Sequence, residues 1–217
     1  MKALIIGATG ATGEEVLQLI LKDETYKQVD IFVRREVNIK HEKLKVHIID
    51  FDKSEDWKAL VTGDVLFSCL GTTLEAAGSK EAQWKIDYGY QYEFAKIAQD
   101  NNVNNYVLIS SSNASANSFF FYSKMKGQLE EAVKALSFKK TNIFRPPILK
   151  REDSDRKMEV IGVKVIGFLN SLGLLRSQKP MDTKVLAKAM LKSVKVLGNG
   201  KHNIEGQNIL DLIKTNS

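Results

Sequence analysis

The chain opens Met1-Lys-Ala-Leu-Ile-Ile-Gly7-Ala-Thr-Gly10-Ala-Thr-Gly13 and runs straight into Glu14-Glu-Val-Leu-Gln-Leu-Ile-Leu21. Ala3–Ile6 is a short apolar run that reads as a buried strand, and from Gly13 to Lys22 apolar residues recur at helical spacing. Between the two stand three glycines spaced G-x-x-G-x-x-G. Glycine triplets also collect in ordinary turns, but one set between a strand and a helix reads as a phosphate cradle. Gly7 permits the tight turn, Gly10 lets backbone approach a phosphate, and Gly13 lets the helix pack on the strand. Gly7, Thr9, Gly10, Ala11, Thr12 and Gly13 therefore face a pyrophosphate held by free N–H groups and the positive end of the helix dipole.

Working outward, apolar runs alternate with helix-period segments, the signature of βαβ units and a parallel sheet. Strands are expected at Ala3–Ile6, Val29–Val33, Val46–Ile49, Val65–Cys69, Tyr106–Ile109 and Asn142–Phe144. Helices are expected at Gly13–Lys22, Trp57–Leu60, Gln83–Gln99 and Tyr122–Leu136. Asp100-Asn-Asn-Val-Asn-Asn105 marks a helix stop and a turn. The fold class is α/β, a Rossmann-like doubly wound parallel sheet forming one domain over residues 1–217. A small helical cap is expected within about 150–200, followed by a last strand, His202–Glu205, and a helix. The cap would sit over the carboxyl ends of the strands, where open parallel sheets bind ligands.

Composition narrows the function. A length of 217 residues suits one domain with a real core, and 43% hydrophobic with 27% charged residues is ordinary for a globular chain. The early strand leaves no room for a transit peptide, and the single cysteine, Cys69, fits a reducing compartment; together they suggest a cytoplasmic protein. A net charge of +6 is spread along the chain beside Glu and Asp, so nucleic acid is not an expected partner. Residues 158–175 are apolar but interrupted by Glu159, Lys164 and Asn170, so no membrane span is expected; they would cap the site, form a homodimer face, or simply pack. His41, His47 and His202 show no metal-ligand spacing, and no metal is expected.

At the end of the second strand a carboxylate would accept bonds from a ribose 2′-hydroxyl. The chain instead has Ile31-Phe-Val-Arg34-Arg35. Two permanent cations with planar forks favour a 2′-phosphate, and so NADP(H) over NAD. Asp50-Phe51 and Leu70-Gly71-Thr72-Thr73, each following a strand, would line the adenosine half, although Thr72 and Thr73 also read as turn residues. Further on, Tyr122 and Lys126 share a helix face. An ammonium stabilises a phenolate and pulls the phenol toward the working pH, which suits acid–base catalysis. Ser110-Ser111-Ser112 closes the preceding strand, and its hydroxyls suit orienting a carbonyl. Phe119-Phe120-Phe121 either lines a substrate pocket or joins the core. Pro146-Pro147 fixes a rigid turn after the sixth strand.

These pieces together resemble the short-chain dehydrogenase/reductase superfamily, in particular its atypical NAD(P)-binding members of the Tat-interacting-protein-like group. The shared residues are Gly7-Ala-Thr-Gly-Ala-Thr-Gly13, Val33-Arg-Arg35, Cys69-Leu-Gly-Thr-Thr73, Ile109-Ser-Ser-Ser112, Tyr122-x-x-x-Lys126-Gly127 and Phe144-Arg-Pro146. They occur in order across most of the first 150 residues. The resemblance implies an oxidoreductase moving hydride between NADP(H) and a small carbonyl or alcohol. In it Tyr122 is the acid/base, Lys126 lowers its pKa, and Ser111, or Ser112 after it, polarises the carbonyl. It further implies that Ser110, Tyr122, Lys126 and Pro146 border the cofactor. Two rival readings share these residues: a non-enzymatic NADP(H)-binding regulator acting through a protein partner, and a nucleotide-sugar epimerase or dehydratase.

Overall fold

The computed structural model describes residues 1–150 and 180–214. Strands β1 (Lys2–Ile6), β2 (Gln28–Val33), β3 (Leu44–Ile48), β4 (Val65–Ser68), β5 (Asn105–Ile109), β6 (Lys140–Arg145) and β9 (Gly200–Glu205) form one sheet ordered β3-β2-β1-β4-β5-β6-β9. Every pairing in it is parallel. Two short strands, β7 (Leu149–Lys150) and β8 (Met181–Asp182), pair with each other outside it. The helices are α1 (Ala11–Lys22), α2 (Ser54–Trp57), α3 (Leu74–Ala77), α4 (Lys80–Trp84), α5 (Gln91–Asp100), α6 (Phe121–Ala135), α7 (Thr183–Val196) and α8 (Gln207–Lys214).

The strand pattern explains the layers. Neighbouring side chains point to opposite faces, so a sheet covered on both sides needs continuous apolar runs. Ala3, Ile5, Val29, Ile31, Val65 and Phe67 pack on one face against Val16, Leu17 and Ile20 of α1, Leu186 and Met190 of α7, and Ile209 of α8. Leu4, Ile6, Phe32, Leu66, Leu108 and Ile143 pack on the other against Phe94 and Ala98 of α5 and Leu129 and Val133 of α6. Asp30 lies among these strand residues, fully buried, and is held by His47 Nε2 at 2.8 Å, Gln28 Nε2 at 2.5 Å and Lys2 Nζ at 3.1 Å. Those partners hold its pKa below the usual carboxylate range despite the opposing cost of burial.

The chain departs from the expected elements where tertiary packing decides. β3 starts at Leu44 rather than Val46, because this edge strand alternates exposed and buried residues instead of running apolar. The helix expected at Trp57–Leu60 is α2 followed by a 3-10 turn over Lys58–Leu60. The one expected at Gln83–Gln99 begins at Lys80 and passes through a π-helical stretch, Lys85–Tyr90, between α4 and α5. It ends where expected: Asn102 takes φ 61°, the left-handed conformation Asn tolerates after a helix. Of the span assigned to the cap, residues 151–179, including 158–175, lie outside the described residues. Within the described part, α7 lies in the same layer as α1, packed against it.

Strand order reverses between β1 and β4, since β2 and β3 lie to one side of this pair and β5, β6 and β9 to the other. Such a reversal opens a crevice at the carboxyl ends of the two central strands.

Candidate functional site

The β1–α1 loop leads into that crevice. Gly7 has φ 79°, and a Cβ there would stand 2.4 Å from the Cys69 carbonyl carbon, so neither its conformation nor its space admits another residue. A Cβ on Gly13 would lie 2.1 Å from Gly7 O, which locks α1 against the end of β1. Gly10 is less constrained, with Gly7 O at 3.3 Å from a Cβ, and its N–H closes the turn onto Gly7 O at 3.0 Å. Thr9, Gly10 and Ala11 are exposed above the crevice, whereas Thr12 is buried. No side chain caps α1, whose N-cap is Gly10. The first-turn N–H groups thus suit an anion.

Arg34 and Arg35 follow β2 on the surface, and neither forms an ion pair among the described residues. Asp50 is exposed after β3, and its backbone oxygen accepts from Trp57 Nε1 at 2.8 Å. The side chain of Phe51 packs into the core. Its ring is buried against Tyr90 at 5.1 Å, Trp57 at 6.2 Å and Phe94 at 6.4 Å, as core. Leu70 and Gly71 lie along the open edge after β4. Thr73 accepts from Ala76 N–H at 3.1 Å and so caps α3, the turn role, while Thr72 is half-buried. Burial pushes the Cys69 thiol up to about 12, so it behaves as an inert, packed side chain.

Tyr122 and Lys126 stand one turn apart at the start of α6. Lys126 is only 2% exposed, and its Nζ lies 5.9 Å from the centroid of the Tyr122 ring. Gly127 is what lets α6 come this close: a Cβ there would meet the Ser115 carbonyl carbon at 2.1 Å. The Tyr122 ring is 41% exposed, yet its hydroxyl is sufficiently desolvated that its pKa lies above the ordinary phenol value. Lys126 pulls that pKa down as expected, but burial outweighs it and Asp87 opposes it. The net shift is upward, with the pull of Lys126 present but smaller than the effect of burial.

The serine run divides. Ser110 turns inward, and its Oγ donates to Glu130 Oε1 at 2.5 Å. Glu130 is in turn gripped by Arg145 through Nε at 3.0 Å and Nη2 at 2.6 Å. That buried network engages the Ser110 hydroxyl within the protein. The Ser111 and Ser112 hydroxyls form no hydrogen bond among the described residues, while Ser112 N–H donates to the carbonyl of buried Pro146 at 3.2 Å. Phe119 is fully exposed and Phe120 is exposed, so neither is core; Phe121 packs on Trp84 at 6.1 Å.

Sequence reading missed a polar stripe. Gln83, Asp87 and Gln91, spaced four apart on the core-facing side of α4, the π-helical stretch and α5, are buried. Asp87 Oδ1 accepts from Thr72 N–H at 2.8 Å, Gln83 Nε2 donates to Thr72 O at 3.0 Å, and Ser68 Oγ donates to Gln91 Oε1 at 2.7 Å. Three polar residues on an otherwise apolar helical face were the available signal.

Comparison with known proteins agrees with this geometry. The chain matches the NAD(P)H-binding family over residues 7–168. It is 37% identical over 181 residues to the mitochondrial protein FMP52-1 of Scheffersomyces stipitis, covering 80% of this chain and 79% of the relative. It is 35% identical over 212 residues to the mitochondrial protein fmp52 of Aspergillus niger, covering 91% and 88%. Those designations overturn the cytoplasmic expectation. In fold, it superposes with TM-score 0.72 on a short-chain dehydrogenase/reductase superfamily protein of Agrobacterium tumefaciens bound to NAD, at 13% identity, covering 94% of this chain and 77% of that one. It superposes with TM-score 0.71 on UDP-glucose 4-epimerase of Thermotoga maritima, at 12% identity, covering 99% and 81%. The chain belongs to the NAD(P)H-binding family.

Proposed function

We propose that the chain is an NADP(H)-dependent oxidoreductase acting on a small carbonyl or alcohol. The observation that carries this reading is the pair Tyr122 and Lys126, one helical turn apart with the Lys126 Nζ 5.9 Å from the Tyr122 ring. The cradle suits a dinucleotide, since Gly7 and Gly13 let the backbone pack tightly at the end of β1 and the first turn of α1 carries no side-chain cap. Gly7, Thr9, Gly10, Ala11 and Gly13 would hold the pyrophosphate, and Arg34 with Arg35 a 2′-phosphate. When bound, the nicotinamide supplies or accepts hydride.

The chain's own residues then do the rest. Ser111, with Ser112 beside it, hydrogen-bonds the substrate oxygen and polarises it. Tyr122 gives its phenolic proton to that oxygen on reduction and takes it back on oxidation. The Lys126 ammonium offsets the charge left on the phenolate. Exposed Phe119 and Phe120 offer an apolar border to the substrate. The mitochondrial designations of the relatives support a mitochondrial site of action.

A second reading rests on the same cradle: a chain that binds the cofactor without turning it over and signals to a partner protein. NADPH oxidation against a panel of aldehydes and ketones, comparing the wild type with Tyr122→Phe, separates the two. The enzyme reading expects turnover that falls about 100-fold or more in the variant. An equally active variant rejects the mechanism, and a wild type that binds NADPH without turnover favours the regulator.

A further inference from the structure

Lys126 sits in α6 with almost no contact with water, and an ammonium that far from solvent requires a counter-charge. Another acid nearby is engaged elsewhere. Glu130, one turn on in α6, accepts from Ser110 and Arg145 and faces Lys134 at 3.8 Å.

Asp87 is different. It lies in the π-helical stretch packed against α6 and is 0% exposed. One carboxyl oxygen is held by Thr72 N–H, while the other, Oδ2, is buried with no hydrogen-bond partner among the described residues. Such an atom is costly unless it serves a charge or a ligand. The groups that act on this carboxyl are the Thr72 N–H from the loop after β4, the Gln83 amide from α4, and the Lys126 charge from α6. Desolvation raises the Asp87 pKa, and Lys126 pulls against it. Asp87 and Lys126 form no direct ion pair, so they interact across a gap rather than neutralising each other by contact.

We propose that Asp87 is a positioning residue of the centre: its carboxylate, fixed by Thr72 N–H of the loop after β4, is the buried counter-charge of the Lys126 ammonium. The proposal rests on Tyr122 and Lys126 being the reactive pair, but it does not require turnover. Asp87 keeps the cation charged beside Tyr122 and at the same time offsets part of its pull on the phenol, since the Asp87 charge raises the Tyr122 pKa. The site is then three coupled groups rather than two.

The test is an NMR titration of the cofactor-free chain, following aspartate carboxyl carbons and lysine side-chain resonances; loss of a resonance in Asp87→Asn or Lys126→Met assigns it. In Lys126→Met the Asp87 carboxyl titrates at higher pH than in the wild type. In Asp87→Asn the Lys126 ammonium titrates at lower pH, although the new amide oxygen still accepts from Thr72 N–H. A purely structural Asp87 would leave the Lys126 step where it was. Either midpoint staying in place, or moving the other way, overturns the proposal. The Asp87 reading in Lys126→Met stands if Asp87→Asn does not fold. Neither arm uses NADPH or substrate, so failure here is distinct from failure of turnover in the wild type.

Discussion

At the β1 end of the crevice the chain leaves no spare room, and at the α6 end it leaves polar groups without partners. Gly7 and Gly13 fit so closely that an added Cβ would overlap backbone at 2.4 Å and 2.1 Å. At the other end Asp87 Oδ2 and the hydroxyls of Ser111 and Ser112 are unbonded among the described residues, and Tyr122 stays half open. Sterics build the first end, which suits holding a constant group such as a pyrophosphate. Electrostatics build the second, which suits chemistry on a group that changes charge. Proteins keep unsatisfied groups where function requires them.

Perturbing the tight end should have the largest effect on folding. Gly13→Val drives a branched side chain into the Gly7 carbonyl and should cost about 3 kcal/mol or more in urea unfolding, along with loss of NADPH binding by calorimetry. Breaking the buried Glu130–Arg145 pair with Arg145→Met should cost about 3 kcal/mol, because buried Glu130 keeps only the longer contact to Lys134 as a cation partner. At the open end Tyr122→Phe should leave unfolding nearly unchanged while lowering turnover about 100-fold or more. A variant that also loses stability would show that the open end is not open. Arg34→Ala and Arg35→Ala should each weaken NADPH about tenfold while leaving NADH unchanged, by calorimetry.

The subtlest contrast lies between two buried aspartates. Asp30 has a lowered pKa, so its stabilising contribution is present above the unfolded carboxyl pKa of about 3.9 and is lost as pH falls through the lower folded value. Asp87 has a raised pKa, so at neutral pH its charge opposes folding, and that penalty fades as pH falls through the folded value toward the unfolded one. Asp30→Asn should therefore destabilise at pH 7, with the difference shrinking toward pH 3, and urea midpoints across that range measure it.

The same contrast explains what the sequence made legible. β1, the glycines and α1 are adjacent in the chain, and their roles follow from local sterics, so thirteen residues announce them. The Tyr122–Lys126 spacing is likewise local. Asp87 is not: nothing near it in sequence says that its carboxyl is buried beside α6, since that burial arises only when α5 and α6 pack on β4 and β5. Ser110 escapes a local reading for the same reason, because Glu130 and Arg145 reach it from α6 and β6. Phe51 reads as a loop residue until Trp57, Tyr90 and Phe94 close around it.

Single-turnover transfer of deuterium from nicotinamide-deuterated NADPH to an aldehyde tests the reactive end most directly, with cofactor binding measured in the same samples. The account predicts that wild type and Tyr122→Phe bind NADPH equally and that deuterium reaches the product about 100-fold or more slower in the variant. Equal transfer by both, or a wild type that holds NADPH and transfers nothing to any aldehyde or ketone, would contradict it.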